Sequence, residues 1–420
     1  MKLKRKESDT FNLYRNFKWV TLVFIVFLTH ILLFSFPHYW HFVLGPVHIP
    51  DVYPFLDMKG RLAHIQGYMT GLDIYHVPNL LDPLGRINDK PSYTLLLGHL
   101  GLNLEHAVPL SIFFIFLMVF GTLLLIKPRN WYHVIAAYLV ICSPSVLFAV
   151  ERGNDDIVIF VFLLIVPLFL SKNTSWGNLV AFCLISIVGP AKYYPFAAYI
   201  LFAHPQRTNR QTFFWLTSSI TYITVFILLT YKEILFLSSR IPQPNYINSF
   251  GAKLLFELLG LKFPIPELLT FISIVIILLF LPVFSLHKHR ILPNITKIEE
   301  YYFLLGSVIL IFCFFVNSNS DYRLVFCLFL LPALFSWLSN TKINFYLRLV
   351  TTASIILIIV IMWLPYVYFF FNSVVFDLAF LMLEIFKFRL ILTWFLILMI
   401  TLLSSLLLRP LPLFIKYLQK

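Results

Sequence analysis

Charge is scarce in this chain: only 12% of its 420 residues are Asp, Glu, Lys or Arg, while 60% are hydrophobic. Polar surface that sparse cannot cover a water-soluble globule of this mass, so a soluble enzyme or binding module is excluded and lipid must be the solvent. Cysteine is scarce as well. Cys142, Cys183, Cys313 and Cys327 all fall inside apolar runs and none makes a CxxC pair. A disulfide framework or thiolate metal site would need clustered or loop-borne cysteines, so all four are read as packing residues. Neither a Walker loop nor a GxGxxG is present, which argues against direct use of ATP or a dinucleotide. The histidines include no HExxH and no pair on one helix face; no protein-built zinc site, metal requirement or other cofactor is expected. The net charge is +13, but no basic amphipathic stretch interleaved with aromatics accompanies it, so nucleic acid is not expected as a partner. No internal repeat is evident, which leaves an inverted-repeat transporter architecture without support.

Apolar runs are abundant instead. Several reach about 18 residues or more, long enough to cross about 30 Å of hydrocarbon as helices. Spans are expected at 19–37, 107–126, 131–149, 155–171, 175–190, 192–205, 212–231, 266–286, 301–316, 322–339, 348–371 and 388–408. The expected fold class is an all-α polytopic membrane protein forming a single membrane-embedded domain over 1–420. The first run, Trp19 to Pro37, is too long and too aromatic for a cleaved signal peptide and reads as a retained span. With the amino terminus in the cytoplasm, the segments MKLKRK, KPR, HPQRTNR, HKHR, SNTK and RPLPLFIKYLQK fall inside and most acidic residues fall outside. That is the distribution of the positive-inside rule. The stretch 192–205 is short for a span, and everything after it would invert if it were re-entrant.

Two long loops, 38–106 and 232–265, then lie on the exterior. Loops of that length are rarely structureless. In the second, Leu254, Leu255, Leu258, Leu259 and Leu261 have the spacing of a short helix lying in the membrane interface.

Four charged clusters share the exterior side: Asp51 and Asp57 in the first loop, ERGNDD at 151–156, Lys192 in GPAKYYP, and Asp321 to Arg323 in NSNSDYRL. Ionisable groups at a membrane boundary are costly unless paired or functional. An aspartate at such a boundary can act as a general base toward an acceptor hydroxyl; it can equally be a helix cap or a surface charge. Arg152, Lys192 and Arg323 are suited to an anion, because guanidinium and ammonium groups neutralise phosphate oxygens through charge-assisted bonds. The competing reading pairs Arg152 with Asp155 or Asp156, and pairs Arg323 with Asp321 or lets it snorkel to the interface. Four histidines in the first loop, His64, His76, His99 and His106, are candidates for substrate contact, although a solvated loop histidine is the commoner case.

The stretch from Phe55 to Tyr93, FLDMKGRLAHIQGYMTGLDIYHVPNLLDPLGRINDKPSY, resembles the first periplasmic loop of glycosyltransferase family 87, in the GT-C superfamily. An Asp opens that loop in the family, and Asp57 holds the position here. A Gly-x-Asp-Pro-Tyr element follows about fourteen residues later; here it is Gly71-Leu-Asp-Ile-Tyr, with Ile74 where Pro is usual. Lys-Pro-Ser-Tyr stands where Asn-Tyr-Pro usually closes the segment. Farther on, ERGNDDIVIF is similar to the family's Arg-Gly-Asn-x-Asp span entry, AKYYPF to its Lys-x-Tyr-Pro element, and NSNSDYRLVF to its Tyr-Arg-Leu span entry. The four motifs lie in register over roughly residues 50–340.

The resemblance implies a GT-C-type fold of about twelve spans, with amphipathic helices in the exterior loops, in a bacterial inner membrane with a periplasmic active site. It implies transfer of a hexose, mannose by family analogy, from a polyprenyl-phosphate donor in the bilayer to an envelope glycan or glycolipid. The loop aspartate would be the general base for an inverting displacement, Asp57 first and Asp51 in reserve. Lys192 and Arg323, with Arg152, would stabilise the departing phosphate. Asn154, Asp155, Tyr322 and His64 are the candidate substrate contacts. Two rivals remain: a transporter or flippase of lipid-linked sugars, and a polysaccharide polymerase or ligase. A transporter should place charge near the bilayer midplane, whereas span centres such as Ile272 to Phe280 are apolar.

Overall fold

The computed structural model describes residues 2–45, 48–88, 92–238, 249–258, 260, 272, 295–315, 319–372 and 379–408. The apolar runs are helical, as they must be where no water can satisfy backbone N–H and C=O groups. In chain order the helices are α1 (Lys2–Ser35), α2 (Tyr39–Leu44), α3 (Leu56–Met69), α4 (Ala107–Leu125), α5 (Trp131–Ile141), α6 (Pro144–Arg152), α7 (Asp155–Leu170), α8 (Ser175–Lys192) and α9 (Asn209–Ser238). After these come α10 (Ala252–Leu258), α11 (Lys297–Phe315), α12 (Leu331–Leu338), α13 (Phe345–Asn372) and α14 (Ala379–Ser405). Two-residue strands, β1 (Ser249–Phe250) and β2 (Asn319–Ser320), pair antiparallel with Ser249 opposite Ser320.

Among the described residues, seven helices are long and apolar enough to cross a membrane, or nine if each of two bent pairs is one span. The protein is therefore an all-α, multi-pass membrane protein, and several expected spans take another form. The run 131–149 is α5 and α6, bent by 43°, because the Ser143 hydroxyl caps α6 and Pro144 occupies its first turn; proline there has no N–H to continue α5. The run 322–339 is a 3-10 helix, Asp321–Phe329, bent by 47° from α12. The stretch 192–205 holds a 3-10 helix of ten residues, Tyr194–Ala203. At about 2 Å per residue it is too short to cross about 30 Å alone. The span expected at 266–286 lies outside the described residues.

Helix α11 is the axis of the bundle. Its apolar window is 78% buried against 6% for α9, so α11 is enclosed by protein while α9 keeps most of its side chains at least partly exposed. Tyr301, Tyr302, Phe303 and Phe314 fill the centre, and the Tyr302 hydroxyl donates to the Leu164 carbonyl at 2.7 Å.

Helix α10 forms where a short amphipathic helix was expected, yet it does not offer its leucines to an interface. Leu254 and Leu255 are buried, and Phe256 meets the Trp394 ring of α14 at 6.4 Å; packing on the bundle has taken the apolar face. Leu259, Leu261 and the side chain of Leu258 lie outside the described residues. Cys142, Cys313 and Cys327 are buried as expected of packing residues, whereas Cys183 is exposed on α8. In a spanning helix such a face meets lipid, so the apolar run around Cys183 did not imply burial.

Candidate functional site

The site is built on the turn between α6 and α7. Gly153 has φ +58°, and a Cβ there would stand 2.6 Å from Ser111 Oγ, 3.1 Å from Phe55 Cβ and 3.3 Å from Met58 Cβ. Only glycine allows both that backbone conformation and the close approach of α3. Asn154 follows as the N-cap of α7, its side-chain oxygen accepting from the Asp156 N–H at 3.0 Å. The Phe55 N–H donates to the Glu151 carbonyl at 2.8 Å, which seats the first turn of α3, and hence Asp57, beside this cap.

Asp57 is held on both oxygens. The Asn154 amide donates to Oδ2 at 2.6 Å. Oδ1 faces Arg86 Nη1 at 3.4 Å and Arg152 Nη1 at 3.8 Å, and the side chain keeps 22% of its surface exposed. Asn154 also joins Asp57 to a buried ammonium, since its Oδ1 accepts from Lys192 Nζ at 3.1 Å. Lys192 is the last residue of α8, brought here by the break at Tyr193, where φ is +60° and the 3-10 helix begins.

Behind them lies Asp156, fully buried. Its Oδ1 accepts from Lys192 Nζ at 2.7 Å and from the Tyr194 hydroxyl at 2.8 Å. Oδ2 faces Arg323 Nε at 3.7 Å, and neither atom has a hydrogen-bond partner among the described residues. Aromatic faces cover the cations: Arg323 lies 5.3 Å from the Tyr194 ring and Lys192 5.3 Å from the Tyr322 ring. The Arg323 and Arg152 side chains are 23% and 15% exposed and that of Lys192 8%, so the two arginines are the less enclosed of the three cations. Asp155 is paired with Arg61, one turn along α3 from Asp57.

Asp57, Arg152, Asn154, Asp155, Lys192, Tyr322 and Arg323 thus come together from four segments far apart in sequence. Arg152 pairs with Asp57 and with Glu151, 3.5 Å away, and Arg323 faces Asp156 rather than Asp321. Asp321 pairs instead with Arg389 of α14 at 2.6 Å, both fully buried. Asp51 is exposed on a 3-10 turn, Pro50–Val52, and takes no part in the network. His64 is buried on α3, and its Nε2–H donates to the Arg86 carbonyl at 2.9 Å. It fixes the backbone that presents Arg86, and burial lowers its pKa. The other loop histidines pair locally or are exposed: His76 with Asp73, His106 with Asn103, and His99 in the open.

Sequence reasoning missed Asp156 as the hub, Arg61, Arg86, Tyr194, and the buried His48–Glu151 contact of 3.2 Å beside Arg152. Burial lowers the His48 pKa. Arg61 was visible in principle, four residues after Asp57 on one helix face. Arg86 had only the turn chemistry around Asp82 to announce it: the Asp82 carboxylate holds its Nε at 3.0 Å. Among the described residues no group of three or more His, Cys, Asp or Glu could hold a metal ion. Chemically, the cluster sets a partly exposed carboxylate, fit to take a proton, one amide away from cations fit to receive negative charge. No family model, no curated protein and no solved structure matches this chain.

Proposed function

We propose that the protein is a glycosyltransferase that moves a hexose from a polyprenyl-phosphate donor to a glycan or glycolipid acceptor. Its architecture in this reading is GT-C-like, with about twelve spans and the site on the exterior, periplasmic face of a bacterial inner membrane. The observation that carries the reading is the Asn154 bridge, which donates to Asp57 at 2.6 Å and accepts from Lys192 at 3.1 Å. Inverting transfer needs those two functions side by side. Asp57 accepts the proton of the acceptor hydroxyl as its oxygen attacks the anomeric carbon. The bond from that carbon to the phosphate oxygen breaks, its electron pair leaves with the phosphate, and the configuration inverts. Arg323 and Arg152 face the charge developing on the leaving group, with Lys192 behind them. Asn154 and Tyr322 orient the sugar, and mannose is the hexose proposed on the family resemblance.

The test is transfer of labelled sugar from a panel of synthetic polyprenyl-phosphate hexoses to extracted envelope lipids and glycans, using purified protein in lipid nanodiscs. Label in the acceptor from one donor supports the reading. Failure with every donor, together with passage of the labelled lipid across reconstituted vesicles, would replace it with a flippase.

A further inference from the structure

The segment between α3 and α4 is amphipathic in the opposite sense to a loop that faces water. Three of its polar side chains, those of Asn79, Asp82 and Asn88, point inward, while Asp73, His76 and His99 are exposed. Asn79 is 2% exposed and its amide donates to the Ala63 carbonyl at 2.9 Å. Asp82 is 3% exposed and holds Arg86, and Asn88 is fully buried with its N–H on the Ile74 carbonyl at 2.7 Å. Its aliphatic side chains point outward: Leu80 is 93% exposed, Leu100 77% and Val77 57%, with Leu72, Leu84 and Leu96 each about half exposed. Aliphatic exposure this concentrated on a segment with a hydrogen-bonded interior marks a docking face rather than scattered exposed leucines.

Two observations fix what it meets. The Tyr75 and His76 rings lie 6.2 and 5.7 Å from the ring of Phe236, in the last turn of the apolar stretch Asn209–Leu237 of α9. The neighbouring side chains on that helix, Leu229 and Leu235, are 80% and 66% exposed, as they are on a lipid-facing span. Val77 and Leu80 therefore extend the lipid face of α9 at the level where that helix ends. At the other end of the segment, Leu100 precedes by four residues the next spanning stretch, Leu104–Leu125.

We propose that the exposed face of residues 72–88 and 95–100 is docked into the lipid surface, at the boundary between headgroups and acyl chains. The loop that presents Arg86 to Asp57 is thereby anchored in the leaflet. The exposed pair Asp73–His76 lies at the polar rim, and Arg86, 36% exposed, is paired with Asp82 and Asp57, so docking buries no unpaired charge. This inference stands independently of the proposed reaction.

The test is nitroxide labelling at Val77→Cys, Leu80→Cys and Leu84→Cys, one at a time, in full-length protein carrying Cys183→Ser. The protein is reconstituted in vesicles of phosphatidylethanolamine and phosphatidylglycerol. Collision rates with oxygen, which partitions into lipid, are compared with those for a water-soluble nickel chelate. Docking predicts that oxygen exceeds the chelate several-fold at position 80, with the same sign at 77 and 84. A higher rate with the chelate would place the segment in water and overturn the proposal. Exclusion of both reagents, with an immobilised spectrum, would mean that protein covers the face, and would overturn it equally.

Discussion

The Asn154 amide donates to Oδ2 of Asp57 at 2.6 Å, across 97 positions of sequence. The same side chain caps α7 through the Asp156 N–H, so one residue has both a structural and a site role. Substitution can separate the two. Serine is as good an N-cap as asparagine but too short to reach both Asp57 and Lys192. Asn154→Ser should therefore keep the melting temperature close to wild type while transfer falls about 10- to 100-fold, because a hydrogen bond to a charged group contributes about 1.5–3 kcal/mol. Asn154→Ala should lose activity and also about 1 kcal/mol of stability. Thermal unfolding in nanodiscs beside initial transfer rates checks both.

Gly153 and Gly71 both have positive φ, +58° and +81°, but a Cβ at Gly71 meets nothing within 4 Å. Gly71→Ala should cost only the backbone term, about 1–2 kcal/mol. Gly153→Ala adds collisions with Ser111, Phe55 and Met58, which must push α3 off the cap. It should lose more stability than Gly71→Ala, and transfer should fall by at least about tenfold for each ångström-scale displacement of Asp57.

The buried pair of Asp321 and Arg389 makes a stability prediction separate from catalysis. Arg389 also donates to the Ile361 carbonyl at 3.0 Å and to the Ser249 carbonyl at 3.2 Å, so it ties α14 to α13 and to β1. Removing one partner leaves a buried charge uncompensated, and Arg389→Met should cost about 3–5 kcal/mol. The double variant with Asp321→Asn removes both charges and should recover part of that loss. Denaturation of the two variants beside wild type in one detergent decides it.

Burial holds the His64 pKa below its ordinary value of 6.5; the hydrogen bond to the Arg86 carbonyl and the nearby Asp82 carboxylate work against this shift, and the charges of Arg61 and Arg86 reinforce it. A depressed folded pKa means that the unfolded chain binds the proton more readily. The stability contributed by neutral His64 is then complete above pH 6.5 and is lost as pH falls from there toward the folded pKa. The difference in melting temperature between wild type and His64→Gln should accordingly shrink as pH is lowered from 7.5 to 5 in scanning fluorimetry.

Much of this site was legible because membrane proteins keep charge where it is paired or used. Asp57, the Arg152–Asp155 run, Lys192 and Arg323 stand out against apolar surroundings, and all of them converge. The pairings were not legible, since the partner of each charge depends on how helices rotate and break. Asp156 rather than Asp155 points inward because consecutive residues on α7 diverge by about 100°. Arg323 reaches Asp156 because Asp321 is taken by Arg389, a lone arginine whose place at the start of an apolar run hid its burial. The span pattern did not show the bends where Pro144 and Pro332 open the second helix of a bent pair, nor the 3-10 helix at Tyr194–Ala203, because hydropathy measures solvent preference and carries no information on backbone geometry.

The most direct test of the account is transfer of labelled hexose from a polyprenyl-phosphate donor by Asp57→Asn beside Asp51→Asn. Asparagine keeps the shape of Asp57 but cannot take a proton. The account predicts that Asp57→Asn, folded and monodisperse, loses at least about 100-fold in rate, while Asp51→Asn, altered only at the exposed turn, stays within a few-fold of wild type. Wild-type transfer by Asp57→Asn, or loss confined to Asp51→Asn, would contradict it.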